Sequence, residues 1–220
     1  MTGLTYEIIQ AFLQSGTIFS KDAHCLLIGW GKRKWSTSYI NDESPNFYFP
    51  DFFLKIGMPW FVHEQSMEIS IDEFKNFLQK NTLQEKISWK LSTDFFQSTF
   101  TKLQKQIDLK ELIKAVPYLF EKTNAKMTNT RLETTLSCVL DYIVSYPAHL
   151  YGLWINGEGF LGASPEILFN QTSINTIETV ACAGTYFHDE KPFLTDNKLL
   201  LEHKIVVDGI TSSLHAFGKI

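Results

Sequence analysis

The sequence predicts an α+β protein in which antiparallel sheets are flanked by helices. Two observations lead to this prediction: strand-like and helix-like segments alternate irregularly, and one pair of strand-like segments is joined by a tight turn. That turn is Asn156-Gly157, a dipeptide typical of two-residue β-hairpins, and it lies between the predicted strands 151–155 and 159–163. No internal repeat or low-complexity tract interrupts this pattern.

The other elements follow from the spacing of apolar residues. Helical spacing predicts a first helix over 4–14, and two strands, 24–28 and 35–39, are predicted around a turn at Gly31-Lys32-Arg33. The aromatic stretch 47–54 is predicted to be strand and core packing. The remaining predicted helices are 71–80, 93–106, 131–145 and 196–217, and the remaining predicted strands are 167–169 and 174–180.

Composition excludes several classes of function. The 220 residues include 24 acidic and 20 basic side chains, so the chain lacks the basic excess of a nucleic-acid-binding protein. No apolar run is long enough to span a membrane, and the first residues do not have the pattern of a signal peptide. The three cysteines are odd in number and widely spaced, which favours a reducing compartment, and we expect a cytoplasmic protein.

Three segments combine residue types that chemistry uses. The first, Gly162-Ala163-Ser164-Pro165-Glu166, is a turn that presents a carboxylate; the second, 181–185, ends in a Gly-Thr pair whose backbone N–H groups can bind a carboxylate. The third, 201–208, places Glu202 and His203 on an otherwise apolar helix face, where a carboxylate can bind a hard metal. Taken singly, each is more typical of an ordinary turn, strand end or solvated helix.

Together and in this order, the segments resemble the chorismate-binding enzymes, a family that holds isochorismate, salicylate, anthranilate and aminodeoxychorismate synthases. The matching blocks are 160–166, Ala183-Gly184-Thr185 and 202–208, and the resemblance extends over roughly 110–212. It implies the anthranilate synthase component I-like fold, with two large antiparallel sheets flanked by helices. Residues 1–90 would be a divergent N-terminal part, and 91–220 the first half of the catalytic core.

Two positions decide which branch of the family the chain resembles. Lys114, within Leu112-Ile113-Lys114-Ala115-Val116-Pro117, is similar to the lysine of isochorismate and salicylate synthases, although Pro117 and Tyr118 depart from their pattern. Aminodeoxychorismate synthases carry a lysine where this chain has Ala183. The resemblance therefore favours water as the nucleophile and isochorismate as the product, the reaction of an isomerase in menaquinone or siderophore biosynthesis.

The resemblance also implies a role for each site residue. Lys114 would act as the base that activates water, and Glu166 as the acid that protonates the leaving C4 hydroxyl of chorismate. Glu202 would hold Mg²⁺, which offsets the charge of the dianionic substrate. The expected substrate-binding residues are Ala183, Gly184, Thr185 and His203.

Two alternatives to an isochorismate synthase stay open. A salicylate synthase of the same family adds pyruvate elimination to the hydration step. Because family members continue for about as much catalytic domain again, the fold is expected to be incomplete at the C-terminus. The chain would then be a truncated, non-catalytic remnant or interaction protein, or would require a second chain or self-association to complete the fold.

Overall fold

The structure is a computed structural model that describes residues 3–41, 43–51, 53–78, 88–91, 93–146, 148–184 and 195–219. The chain divides into two compact units, and each consists of two separate stretches of sequence. The first unit comprises Met1–Lys86 with Ala125–Pro165, and the second comprises Ile87–Asn124 with Glu166–Ile220.

An antiparallel six-stranded sheet forms the first unit, in the order β3-β4-β2-β1-β7-β8. β1 is central: it pairs with β2, its neighbour in sequence, and with β7, which follows it by more than a hundred residues. The strands are β1 (Ser15–Ser20), β2 (Cys25–Ser36), β3 (Phe47–Tyr48), β4 (Trp60–Ser70), β7 (His149–Ile155) and β8 (Glu158–Ser164).

Three helices cover one face of this sheet: α1 (Tyr6–Gln14), α2 (Ile71–Phe77) and α4 (Asn129–Ser145). Phe12 of α1 lies at their centre, with its ring edge-on to Phe74 at 5.4 Å and to Trp154 at 4.9 Å between centroids. The Trp154 indole Nε1 also donates a hydrogen bond to the Phe12 carbonyl, at 2.8 Å in a buried position. Helix α1 is therefore fixed to β7 by both ring packing and a hydrogen bond.

The β2 strand differs from the prediction. Two strands were expected around a turn at Gly31-Lys32-Arg33, but a single strand runs from Cys25 to Ser36 along β4. Its register shifts between Trp30 and Arg33, where Gly31 adopts a φ of 83°. The glycine signals a β-bulge, which bends the strand without ending it, so the prediction of a turn was wrong.

The hairpin predicted at Asn156-Gly157 is confirmed, joining β7 to β8. Both residues have positive φ values, 52° and 81°, as a two-residue hairpin turn with right-handed twist requires. A Cβ at Gly157 would lie 2.4 Å from the Met127 carbonyl oxygen, so glycine is needed for space as well as for conformation. The second strand of this hairpin, β8, ends at Ser164, within the first of the three motif segments.

Shorter elements make up the second unit. They are β5 (Lys90–Leu91), α3 (Asp94–Asp108), β6 (Glu121–Lys122), β9 (Asn170–Ser173), β10 (Thr176–Glu178) and α5 (Asn197–Leu214). Two-stranded antiparallel ladders join β5 to β6 and β9 to β10. No residue of Asn197–Leu214 is fully buried. The buried apolar side chains of the described residues all belong to the first unit.

The α+β class is thus confirmed, with helices beside antiparallel strands. No helix in the described part of the chain is both long enough and apolar enough to cross a membrane. The predicted division at residue 90 stays a prediction.

Replacing Trp154 by Phe should lower the free energy of unfolding, because the buried Phe12 carbonyl loses its donor. Such a loss costs about 1–3 kcal/mol. Urea unfolding followed by circular dichroism measures it, with Trp89→Phe as the control because Trp89 is exposed. Equal stability of the two variants would contradict the proposed role of the indole.

Candidate active site

The first motif segment lies at the end of the β7–β8 hairpin. Gly162 is the cross-strand partner of Tyr151, and a Cβ at this glycine would lie 2.9 Å from the tyrosine ring. Ser164 ends β8, Pro165 follows it, and Glu166 is exposed to solvent. The hairpin therefore fixes where the chain leaves the sheet, at Ser164, two residues before Glu166.

Lys114 is half-buried and belongs to neither a helix nor a strand. It lies in the connection between α3 and β6. The structure shows an irregular path there, with a single positive-φ residue, Lys110, just after α3.

The second motif segment follows β10. Ala183 is half-buried, and Gly184 is exposed with a φ of 82°, which glycine adopts without steric cost. This conformation fits a turn that presents backbone N–H groups. Thr185 lies outside the described residues.

Glu202 and His203 lie on α5, as predicted, and both are half-buried. Asp196 caps the start of this helix, because its side chain accepts hydrogen bonds from the backbone N–H groups of Lys198 and Leu199. Further along, Lys204 and Asp208 form an exposed ion pair at 2.8 Å. The helix is therefore stabilised by its N-cap and by a surface ion pair, and none of its residues is fully buried.

A magnesium site is not assembled by the described residues. Among them, no group of three or more His, Cys, Asp or Glu side chains is placed to hold a metal ion. The resemblance assigns one carboxylate, Glu202, to the metal, whereas Mg²⁺ requires near-octahedral oxygen coordination. The residues present do not by themselves fit the metal that the resemblance implies.

All described members of the predicted site belong to the second unit. Among the described residues, two cavities of ligand size have linings that do not include Lys114, Glu166, Glu202 or His203.

One of these cavities, of about 520 Å³, lies in the first unit and was missed by the sequence analysis. It combines apolar residues of α4 with polar residues of the β1–β2 turn and of the start of α2, and Pro165 also lines it. Its polar members are Asp22, His24, Ser70, Asp72 and His149. They come from three separate stretches of sequence, so no local motif identifies them.

A buried polar cluster on the other face of the sheet was also missed. His63 is only 3% exposed, and its Nε2 lies 2.7 Å from the Thr17 hydroxyl oxygen and 3.4 Å from the Arg33 Nε. Because a guanidinium can only donate, Nε2 is the acceptor and the ring proton is on Nδ1. Phe47 and Phe61 lie edge-on to the imidazole, with centroids 5.7 and 5.6 Å away. The cluster is closed to substrates and has a structural role.

The environment keeps this histidine neutral. Burial, reinforced by the charge of Arg33, lowers the pKa of His63 to about 4. The backbone at Gly31 and Trp30 opposes the shift, but within the described residues Nδ1 has no hydrogen-bond partner of normal geometry. Burial also lowers the pKa of Arg33 to about 10, which leaves it charged at neutral pH.

Comparisons of the chain with protein-family models, curated proteins and solved structures gave no match. The resemblance to chorismate-binding enzymes therefore rests on the quoted motifs.

Acid should destabilise the first unit through His63. Its pKa is about 4 when folded and about 6.5 when unfolded, so the unfolded state binds the proton more readily. Above about pH 6.5 the imidazole is neutral in both states, and the free energy of unfolding has its full value. As the pH falls towards 4, the free energy of unfolding decreases by at most roughly 3 kcal/mol. Urea unfolding at several pH values measures this loss.

The His63→Gln variant separates this effect from other titrations, since glutamine keeps an acceptor for Arg33 but does not titrate. We expect its stability to fall less steeply between pH 6.5 and 4 than that of the natural chain. His24→Gln is the control, because His24 is exposed. Parallel pH profiles for the His63 variant and the natural chain would contradict the assignment.

Proposed function

We propose that the chain is a chorismate-binding enzyme of the isochorismate synthase type. The observation that carries the proposal is the order of the three motif segments, ending in Glu166, Gly184-Thr185 and Glu202-His203. The hairpin that delivers the first segment and the helix that presents the third are compatible with it. An antiparallel α+β architecture is also what such a fold requires.

The proposed reaction exchanges one hydroxyl group for another. Lys114 takes a proton from water, whose oxygen forms a bond to C2 of chorismate while the ring double bonds shift. The C4–O bond breaks, and Glu166 protonates the departing hydroxyl, which leaves as water. Gly184 and Thr185 hold a substrate carboxylate, with Ala183 and His203 beside them. The product is isochorismate, and no oxidant or reductant is consumed.

Substrate binding has to remove water from the proposed acid. Glu166 is exposed in this chain, whereas a carboxyl that donates a proton at neutral pH normally lies in a partly dry pocket. The ring of chorismate would cover the carboxyl and exclude water. The enzyme would then become competent only when the substrate is bound.

Mg²⁺ remains part of the proposal, with Glu202 as its expected ligand. Because the described residues do not build a complete site, the steps above depend only on the protein's own side chains. Magnesium would add counter-charge for the substrate carboxylates.

A non-catalytic interaction protein is the second candidate, and exposed apolar side chains favour it. Ile113, Leu168, Ile174 and Phe217 of the second unit are each highly exposed. Contiguous apolar patches mark contacts with other protein chains, and we propose that these side chains belong to one. A second chain, or a second copy of this one, would cover it.

The deciding experiment mixes the purified chain with chorismate and Mg²⁺ and separates the products by chromatography. Isochorismate alone supports the proposal, and salicylate with pyruvate identifies a salicylate synthase. If neither forms and chorismate does not bind in calorimetry, the enzyme proposal is rejected in favour of the interaction protein.

Loss of the acid or the base should abolish most turnover and spare binding. We expect Lys114→Ala and Glu166→Gln each to lower kcat by about a hundredfold or more, the usual contribution of a general acid or base. Lys126→Ala and Glu178→Gln are matched controls, because both residues are exposed and outside the motif segments. Near-normal turnover in either active-site variant would remove that residue from the mechanism.

Self-association is expected if the exposed side chains are a contact surface. Sedimentation velocity should show a concentration-dependent mass above that of one chain, and Leu168→Glu with Ile174→Glu should shift it towards the monomer. Val144→Glu is the control, since Val144 is exposed on the first unit. A monomer at all concentrations would argue against a second copy as partner.

A further inference from the structure

A groove of about 500 Å³ crosses the second unit between α3 and the segment 117–122. Helix α3 contributes one wall, and residues around β6 contribute the other. Its lining residues are Lys90, Phe95, Phe96, Thr99, Leu103, Pro117, Tyr118, Leu119, Phe120 and Lys122. The volume lies within the range of about 300–1,000 Å³ that small-molecule sites occupy.

Aromatic rings dominate both walls of the groove. Phe95, Tyr118 and Phe120 remain 78%, 74% and 67% exposed. The Tyr118 and Phe120 rings meet edge-on at 5.2 Å between centroids, so they present a formed surface. Covering such exposed rings with another flat apolar group lowers the free energy, because apolar surface is removed from water.

Two lysines give the groove its charge. Lys90 and Lys122 are direct cross-strand partners in the β5–β6 ladder, and both side chains line the groove. Like charges directly opposite on antiparallel strands destabilise the pairing. No acidic residue is among the described residues that line the groove, and no ion pair joins either lysine to another described residue.

From this pairing of flat rings with two adjacent cations, we propose that the groove binds a small aromatic anion carrying two negative charges. The ring would pack against Tyr118, Phe120 and Phe95, while the charges would relieve the repulsion between Lys90 and Lys122. An aromatic dicarboxylate and an aromatic phosphate share this chemistry. The inference is independent of the proposed function, since neither Lys114 nor Glu166 lines the groove.

Binding is tested on the full chain by titration calorimetry and by saturation-transfer NMR. Phthalate and phenyl phosphate represent the two sources of the doubly charged ring. Benzoate has the ring with one charge, succinate has two charges without a ring, and benzyl alcohol has the ring without charge. We expect saturable binding of phthalate or phenyl phosphate, weaker binding of benzoate, and no detectable binding of succinate or benzyl alcohol.

Variants locate the binding. Lys90→Gln and Lys122→Gln should each weaken it by about five- to tenfold, the effect of losing one charge-assisted contact. Lys102→Gln is the matched control, since Lys102 is exposed on α3 outside the groove, and should change affinity by less than about twofold. Phe120→Leu should weaken the binding of phthalate without changing the charge of the groove.

Three outcomes would overturn the inference. One is the absence of saturable binding by both doubly charged probes. Another is equal affinity in Lys90→Gln, Lys122→Gln and Lys102→Gln, with circular dichroism unchanged. The third is competitive displacement of phthalate by chorismate, lost in Lys114→Ala, which would assign the groove to the proposed active site. Failure of chorismate turnover alone leaves the inference intact.

Discussion

Arg33 reaches from β2 to the carbonyl groups of Gly16 on β1 and Trp154 on β7, while its Nε faces His63 on β4. One guanidinium on β2 thus contacts groups on three other strands of the sheet, close to the point where β2 bulges. Burying a cation is costly unless its donors are satisfied, and here carbonyl oxygens, the imidazole and the Phe61 ring provide the partners. A second positive charge beside it would be repelled, so the histidine has to stay neutral for the sheet to keep this arrangement.

The two units differ in how far their apolar side chains are buried. In the first, apolar side chains from α1, α2 and α4 fill one face of the sheet, and the Arg33–His63–Thr17 cluster with its aromatic neighbours occupies the other. In the second, short ladders and a helix without fully buried residues leave apolar side chains in contact with water. The residues proposed for chemistry belong to this second unit, so their reactivity depends on what binds there and excludes solvent.

Local patterns predicted the elements that local chemistry specifies. Asn156-Gly157 predicted a hairpin because few dipeptides tolerate two successive positive φ values, and the apolar spacing of 131–145 predicted α4. Gly31 was misinterpreted because a glycine at a bulge and a glycine in a turn look alike in sequence. His63 and the Lys90–Lys122 pair were not identified, since each depends on partners brought close by the fold. For the candidate site, the motif segments and the elements that carry them could be predicted from sequence. Whether these distant segments come together in space could not.

The position of β1 determines the order in which the sheet can form during synthesis. Strands β1, β2 and β4 can pair once the first seventy residues have left the ribosome, but β7 becomes available only after Ile155. Until then β1 is an edge strand with unpaired N–H and C=O groups, although it ends as a central strand. An exposed edge of this kind can pair with another nascent chain, so the interval between synthesis of β1 and of β7 is a period of aggregation risk. Chaperone capture during elongation would protect this chain more effectively than capture after release.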